Sequence, residues 1–155
     1  MNIFEEFRKI IKVIEANNLE YALVGGVALA FHDQPRFTKD IDLLLIPDDI
    51  VTFTDVLSKL GFFTSAPPWT FKNTEMTLYR FIKIAKNDHL QLDVITANSE
   101  RTQQIIRNTL DAESEYGTVR VASIEDLIWM KRKRNSDQDQ VDIKMLEKGK
   151  SETNR

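Results

Sequence analysis

Residues 21–46 constrain the fold more than any other stretch of the chain. An apolar run, Tyr21–Val24, ends in a Gly25-Gly26 pair, and a later Asp-Ile-Asp motif, with Asp40 and Asp42, begins a second apolar run. Because side chains alternate across a strand, both aspartates are expected on one face and the intervening isoleucine on the other. Two carboxylates at a strand start, facing a glycine turn, can hold Mg²⁺ against a phosphate.

This segment resembles the nucleotidyltransferase superfamily, which shares the fold of DNA polymerase beta and includes the minimal nucleotidyltransferases of bacterial toxin–antitoxin pairs. In that superfamily a strand leads into Gly-Gly or Gly-Ser, a short helix follows, and Asp-x-Asp lies on the next strand. Gly25, Gly26, Asp40 and Asp42 match those positions. The wider pattern is most similar to the small AbiEii-type nucleotidyltransferases: Gly-Gly-x-Ala, then His32, Arg36, Thr38 and the two aspartates.

The length and composition predict one domain. The chain has 155 residues, of which 42% are hydrophobic, enough for a buried core. We assign residues 1–148 to this domain and expect 149–155 to be a frayed tail. The chain has no cysteine and no apolar run near the roughly 20 residues of a membrane span, and its beginning lacks a secretory pattern. A cytoplasmic protein that does not bind membranes is expected.

Hydrophobic periodicity predicts an α/β (or α+β) fold: one mixed sheet flanked by helices, as in nucleotidyltransferases. The predicted helices are 2–16, 27–31, 48–60, 100–110, 123–131 and 136–148. The predicted strands are 21–24, 40–46, 77–85, 89–96 and 119–122, with 77–85 and 89–96 forming a hairpin. Pro67-Pro68-Trp69 predicts that this part of the chain has no regular strand or helix.

Asp93 is the candidate for a third carboxylate. It lies on the polar face of the predicted strand 89–96, whose other face is apolar. The superfamily usually has a third acidic residue on a neighbouring strand, so the resemblance implies that Asp93 joins Asp40 and Asp42. Together they would hold two Mg²⁺ ions, or Mn²⁺ in their place, which activate the attacking hydroxyl and stabilise the leaving pyrophosphate. The alternative is that these carboxylates are ordinary solvated side chains.

The glycine pair and one arginine are the candidates for nucleotide binding near the start of the chain. Gly25 and Gly26 would let the backbone approach the triphosphate, with amides at the following helix start donating to its oxygens. The alternative is a tight turn that binds no ligand. Arg36 either contacts a phosphate or pairs with a surface carboxylate.

A second match to the family lies near the end of the chain. The resemblance implies that Lys131, on a leucine-containing helix, reaches the triphosphate as a point charge. Asp139 and Asp142 match acidic positions of the family, whereas Ser136 stands where the family usually has an arginine. The basic run 131–134 is either a solvated helix end stabilised by the helix dipole or a local patch for RNA or a nucleotide.

The resemblance implies a Mg²⁺-dependent enzyme that transfers a nucleoside monophosphate from an NTP to a hydroxyl of RNA, a protein or a small molecule. The acceptor candidates include a tRNA 3′ end and a partner protein, and a homodimer or an operon-encoded partner is expected to complete the site. The alternative is a nucleotidyltransferase-like antitoxin or partner-binding subunit without turnover. Ser136 favours that alternative, and the three aspartates disfavour it.

Overall fold

The computed structural model describes residues 2–25, 27–28, 40–114, 117–134 and 137–153, which contain both helices and strands. The helices are α1 (Ile3–Ala16), α2 (Ile50–Lys59), α3 (Glu100–Arg107), α4 (Ile124–Arg134) and α5 (Asp137–Thr153), with a 3₁₀ turn at Pro47–Asp49. The strands are β1 (Ala22–Val24), β2 (Asp40–Leu45), β3 (Phe63–Thr64), β4 (Trp69–Thr70), β5 (Thr77–Ala85), β6 (Asp88–Thr96), β7 (Leu110–Ser114) and β8 (Gly117–Val121). No helix in these ranges has both the length and the apolar character that crossing a bilayer requires.

The strands form one mixed sheet, which confirms the predicted fold class. Its order is β3-β5-β6-β2-β1-β8-β7, and β4 pairs with the same strand, β5, as β3 does. The β2–β6 and β1–β8 pairs are parallel, whereas β1–β2 and β5–β6 are antiparallel. The motif strands β1 and β2 are therefore neighbours at the centre of the sheet, and β6 lies directly beside β2.

The core forms one cluster that includes the central strands and one face of α1. Phe7, Ile10 and Ile14 of α1 are buried at helical spacing, as predicted. Asn2 begins the helix, because its side chain accepts hydrogen bonds from the Phe4 and Glu5 backbone N–H groups. The side chain of Phe4, near the start of the helix, is 46% exposed.

Several elements differ from the sequence prediction. Trp69–Thr70 forms strand β4 directly after the two prolines, whose missing N–H groups do not interfere with pairing to β5. The helix predicted over 100–110 ends at Arg107, and Leu110–Ser114 pairs antiparallel with β8 instead. The last helix continues to Thr153 rather than ending near 148, because Gly149 costs a helix interior only about 1 kcal/mol relative to alanine.

Candidate active site

The sheet register brings the predicted acidic residues onto one face. In the parallel β2–β6 pair, Asp42 lies opposite Asp93 and Asp40 lies opposite Gln91. Paired residues on adjacent strands project to the same side, and residues two apart on one strand do so as well. Asp40, Asp42 and Asp93 therefore share a face.

Gly25 allows the close approach between the glycine turn and this face. Val24 pairs with Asp42 across β1 and β2, so Gly25 follows directly beside the aspartate. Gly25 has φ +75°, and a Cβ there would lie 2.1 Å from Asp42 Oδ2. Only glycine therefore fits without displacing the carboxylate. Its neighbour Gly26 lies outside the described residues.

The charge around Asp42 is strongly unbalanced. Burial, and next to it the negative charge of Asp93, raises the pKa of Asp42 to about 7, with a smaller contribution from Asp40. The positive charges of Arg134 and Lys131 act in the opposite direction. A cation bound at this face would relieve the repulsion between the carboxylates.

Asp93 is held by a residue that sequence reasoning missed. The Arg80 guanidinium donates from Nε to Asp93 Oδ1 at 2.9 Å and from Nη2 to Oδ2 at 3.0 Å. Gln91 Nε2 adds a third hydrogen bond, to Oδ2, at 3.2 Å. Arg80 also lies 5.0 Å from the centre of the Trp69 ring. The hairpin could have revealed this pair, because pairing outward from a two-residue Lys86-Asn87 turn puts Arg80 opposite Asp93.

The expected three-carboxylate metal group is not assembled in this structure. Among the described residues, no three or more His, Asp or Glu side chains are placed so that they could hold a metal ion. Asp93 is instead engaged by Arg80 and Gln91. The donors nevertheless fit Mg²⁺ or Mn²⁺ in kind, because all three residues offer carboxylate oxygens. The roles of Asp40, Asp42 and Asp93 as metal ligands remain predictions.

Lys131 and Arg134 form a cluster of charges with two aspartates of α5, in which only Arg134 is partly exposed. Lys131 is 4% exposed, and its Nζ lies 3.2 Å from Asp142 Oδ2 and 3.9 Å from Asp139 Oδ1. Arg134 donates two hydrogen bonds to the Asp139 carboxylate, and the one from Nε to Oδ2 is 2.7 Å long. Both aspartates are completely buried. These ion pairs join α4 to α5 and fix both cations relative to α5.

A small cavity of about 20 Å³ separates this cluster from the acidic face. Gly25 and Asp42 line one side, Lys131 and Arg134 another, and Phe71 and Met76 are among its apolar walls. The sequence has Ser136 where the family usually has an arginine, so sequence reasoning assigned no arginine to this part of the site. In the structure, Arg134 lines the cavity there. The signal was available, because residues three apart lie on one helix face and Arg134 follows Lys131 by three.

The other predicted basic residues do not join this cavity. Arg132 pairs with Glu147 on the surface, and Lys133 Nζ lies 5.5 Å from the centre of the Trp129 ring. The 100° step between successive helical residues explains why they point away from Lys131. Arg36, together with Ser136 and the other residues of the motif from His32 to Lys39, lies outside the described residues.

A second, larger cavity of about 450 Å³ adjoins the first. Met76 lines both cavities. The larger one is also lined by Ser99, Thr102, Arg101, Trp129 and Lys133. Sequence reasoning gave no indication of this cavity, because it depends on how α3, α4 and the β4–β5 segment pack together.

Comparison with protein families finds one match that covers most of the chain. A family model described as "Nucleotidyl transferase AbiEii toxin, Type IV TA system" matches residues 8–145. A search of curated proteins finds no match.

Several solved structures share the fold. The lincomycin-bound crystal structure of LnuA, a lincosamide antibiotic adenylyltransferase, has a TM-score of 0.62 at 14% identity, covering 92% of this chain and 95% of that one. The antibiotic-resistance factor ANT(2'')-Ia has a TM-score of 0.61 at 16% identity, covering 97% and 83%. A Thermotoga maritima protein described as a nucleotidyltransferase has a TM-score of 0.58 at 13% identity, covering 96% and 88%. At such identities the similarity shows the fold alone.

Proposed function

Because the chain belongs to the AbiEii nucleotidyl transferase toxin family of type IV toxin–antitoxin systems, we propose that it transfers a nucleoside monophosphate from an NTP to a hydroxyl in a Mg²⁺-dependent reaction. The acceptor oxygen attacks the α-phosphorus, the bond to pyrophosphate breaks, and the hydroxyl proton passes to a carboxylate or to water. Atoms and charge balance without any oxidant or further cofactor.

The observation that carries the proposal is the opposition of charges across the smaller cavity. Asp42, against the Gly25 backbone, forms the negative side, and Lys131 with Arg134 forms the positive side. A metal–triphosphate complex presents cations and anions together, so it needs both kinds of partner within a few ångströms. A purely structural salt-bridge cluster would not require the backbone to approach Asp42 as closely as Gly25 does.

Asp40 and Asp42 are the proposed Mg²⁺ ligands, with Asp93 as the third. Bound Mg²⁺ would supply charge neutralisation at the α-phosphate and at the leaving pyrophosphate. Asp42 lies beside Gly25, which leaves room for its carboxylate. Arg80 orients Asp93 toward β5, and a bound cation would compete with the guanidinium for this carboxylate.

Lys131 and Arg134 are the proposed triphosphate contacts, together with the backbone of Gly25 and Gly26 and the side chain of Arg36. Lys131 acts as a compact charge, and Arg134 offers a fork that suits phosphate oxygens. The buried aspartates of α5 hold both side chains in place, so little side-chain entropy is lost when a phosphate binds.

We propose that the acceptor belongs to one of the hydroxyl-bearing classes that the resemblance implies. These are RNA such as a tRNA 3′ end, a partner protein, or a small molecule. One of the similar structures is a lincosamide antibiotic adenylyltransferase and another is ANT(2'')-Ia in complex with adenylyl-2''-tobramycin, so a small molecule is a necessary arm of any test. We further propose that the chain works in the cytoplasm as the toxin of a toxin–antitoxin pair. Its protein partner would be an operon-encoded protein or a second copy of the chain.

The direct test is transfer of label from each of the four NTPs, labelled at the α-phosphate. Bulk tRNA, the product of the neighbouring gene, lincomycin and tobramycin serve as acceptors, with and without Mg²⁺. We expect label on one acceptor class only with Mg²⁺, and loss of transfer in Asp42→Asn. Asp55→Asn, on the exposed face of α2, is the matched control and should transfer normally.

Transfer that survives in Asp42→Asn would contradict the proposed active site. NTP binding by the wild type without label on any acceptor would instead identify the chain as the inactive, partner-binding form.

A further inference from the structure

We propose that the outer part of the acidic face is a dimer interface, which receives helix α5 of a second copy of this chain and brings Lys148 of that copy to Asp40. The inference rests on the function proposed above, because it assigns the second copy as the protein partner of that site. In this dimer, Lys148 of the second copy and Mg²⁺ compete for the same carboxylate.

Beyond the aspartates, the same face of the sheet is apolar and exposed. Strand pairing across β3, β5, β6 and β2 forms one row of residues: Phe63, Ile82, Gln91 and Asp40. Paired residues project to the same side, so Phe63 and Ile82 share the face of Asp40. Ile84 lies two residues beyond Ile82 on β5 and projects to this side as well. Phe63 is 50% and Ile84 is 62% exposed, so an open apolar surface adjoins the acidic one.

The charge beside this apolar surface is negative. The described charged side chains of the acidic face and of the α4–α5 cluster are three cations and five carboxylates: Arg80, Lys131 and Arg134, with Asp40, Asp42, Asp93, Asp139 and Asp142. At the nearby hairpin turn, Lys86 and Asp88 carry opposite charges that offset each other. The carboxylates are in excess, so the face favours a partner that is apolar at one end and basic at the other.

Helix α5 of the same chain has a stripe with this chemistry on its outer side. Its inner side is joined to α4 by the buried ion pairs, and its outer side carries three exposed residues and one partly exposed residue: Val141, Lys144 and Lys148, with Met145. These positions are three, four and seven residues apart, so they lie in one stripe. Glu147 is also exposed, but it pairs with Arg132. The stripe is therefore both apolar and basic, as the acidic face requires.

The two surfaces also agree in size. From Val141 to Lys148 the helix rises by about 10 Å, at about 1.5 Å per residue. Ile82 and Asp40 are separated by two strand spacings, which is also about 10 Å. Val141 can therefore lie on Ile82 while Lys148 reaches Asp40. In a two-fold dimer each copy gives one α5 and receives one, so this contact forms twice.

The dimer closes the proposed metal site. The ammonium group of Lys148 offers Asp40 the positive charge that Mg²⁺ would offer, and the two cations cannot occupy one position. Because Mg²⁺ then binds the monomer in preference to the dimer, it shifts the equilibrium toward the monomer by mass action. The dimer is the resting form of the protein, and the metal with its nucleotide releases it.

Sedimentation velocity of the full chain, over a range of concentrations, measures the dissociation constant of the dimer. We expect a reversible dimer in EDTA and a clearly higher dissociation constant in saturating Mg²⁺. Ile84→Glu places a charge in the apolar part of the interface and should raise the constant by about tenfold or more. Val51→Glu makes the same kind of change on α2, at a side chain that is 70% exposed. This control should stay within about twofold of the wild type.

An exchange of charges tests the ion pair itself. Lys148→Glu should weaken the dimer by about tenfold or more, as for a lost contact to a charged group. Lys12→Glu, on the exposed side of α1, is the matched control and should stay within about twofold. The double variant Asp40→Lys/Lys148→Glu restores opposite charges in both copies of the contact, so it should dimerise again. If the double variant does not fold, the comparison of Lys148→Glu with Lys12→Glu decides.

The same measurements distinguish failure of the interface from failure of the proposed function. A wild type that stays monomeric in EDTA, or a dimer that Ile84→Glu and Lys148→Glu leave intact, would overturn the inference. Neither result concerns the transfer of label, so the proposed function would stand. A dimer that Mg²⁺ does not weaken would refute the competition at Asp40. If the dimer behaves as expected but the wild type transfers no label, the proposed function fails and the interface remains.

Discussion

Arg80 and Asp93 face each other across the β5–β6 hairpin, and the guanidinium holds both carboxylate oxygens, at 2.9 and 3.0 Å. The pair lies beside Asp42 on the acidic face. Arg80 thus provides positive charge where a metal ion is proposed to bind, and the Trp69 ring covers it from the side of β4.

Removing Arg80 should therefore have an effect that depends on Mg²⁺. Arg80→Met leaves the nearly buried Asp93 without its main partner, which should lower the free energy of unfolding by about 1–3 kcal/mol in EDTA. Saturating Mg²⁺ should recover part of that loss, because a cation can replace the guanidinium. Urea denaturation measures the free energy of unfolding in both conditions. Arg80→Lys keeps the positive charge, so its stability should lie between those of the wild type and Arg80→Met. An identical loss with and without Mg²⁺ would mean that Arg80 is structural only.

The Gly25–Asp42 contact predicts a specific loss of function in Gly25→Ala. The new Cβ would meet Asp42 Oδ2 at 2.1 Å, and the backbone has φ +75°. Both effects should reduce stability by about 1–3 kcal/mol and displace the carboxylate, so transfer should be lost.

Gly117 provides the matched control for this variant. It has φ +112°, and a Cβ there would meet no described atom within 4 Å. Gly117→Ala should therefore lose stability by backbone strain but keep its transfer activity. Similar activity in the two variants would show that the close approach to Asp42 has no role in catalysis.

Lys131 should act on the triphosphate, whereas its neighbour Arg132 should not. Lys131→Met should weaken NTP binding by about 1–3 kcal/mol, as for a lost contact with a charged group. Arg132→Ala should change it by less than about 0.5 kcal/mol, as for an ordinary surface position. Titration calorimetry measures both. The reverse ranking would mean that the family match of this helix is wrong.

Lys131→Met also leaves the completely buried Asp142 without this cation, so the fold itself would be weakened. The double variant Lys131→Met/Asp142→Asn separates the two effects. It should regain stability but not NTP affinity. Recovery of NTP binding along with stability would assign Lys131 a structural role only.

Helix α1 is joined to the sheet by an ion pair that should respond to pH. Burial acts to raise the pKa of Glu6, but the hydrogen bond and charge of Lys83, with Lys9, lower it overall from its usual 4.5. A lowered pKa in the folded state means that Glu6 stabilises the protein above pH 4.5 and that this contribution is lost as pH falls through the folded-state value. The stability difference between wild type and Glu6→Gln should therefore shrink from pH 6 to pH 3. A constant difference would exclude this linkage.

The sequence predicted the elements whose signals are local. The alternation Asp40-Ile41-Asp42, the helical spacing in α1 and the polar face containing Asp93 each depend on neighbours within one element, and the structure has them as expected. Strand β7 was missed because Leu110–Ser114 has no strong pattern of its own, and pairing with β8 decides its conformation.

The missed parts of the site depend on long-range packing. Arg80 reaches Asp93 through the register of a hairpin, and Arg134 comes near Asp42 only because α4 packs beside Val24, Gly25 and Asp42. The larger cavity is lined by residues from three separate stretches of the chain. Helical periodicity puts Arg134 on the same face as Lys131, but it does not say which strands that face contacts.

Thermal unfolding with each NTP in saturating Mg²⁺ tests most directly whether a metal–nucleotide complex binds at the acidic face. Ligand binding to the folded state raises the midpoint by mass action. The wild type should shift upward with at least one Mg-NTP, and Asp40→Asn/Asp42→Asn should not shift. In EDTA, the same NTP should bind the double variant at least as well as the wild type, because two negative charges are gone. Equal shifts of wild type and double variant in Mg²⁺ would contradict the account.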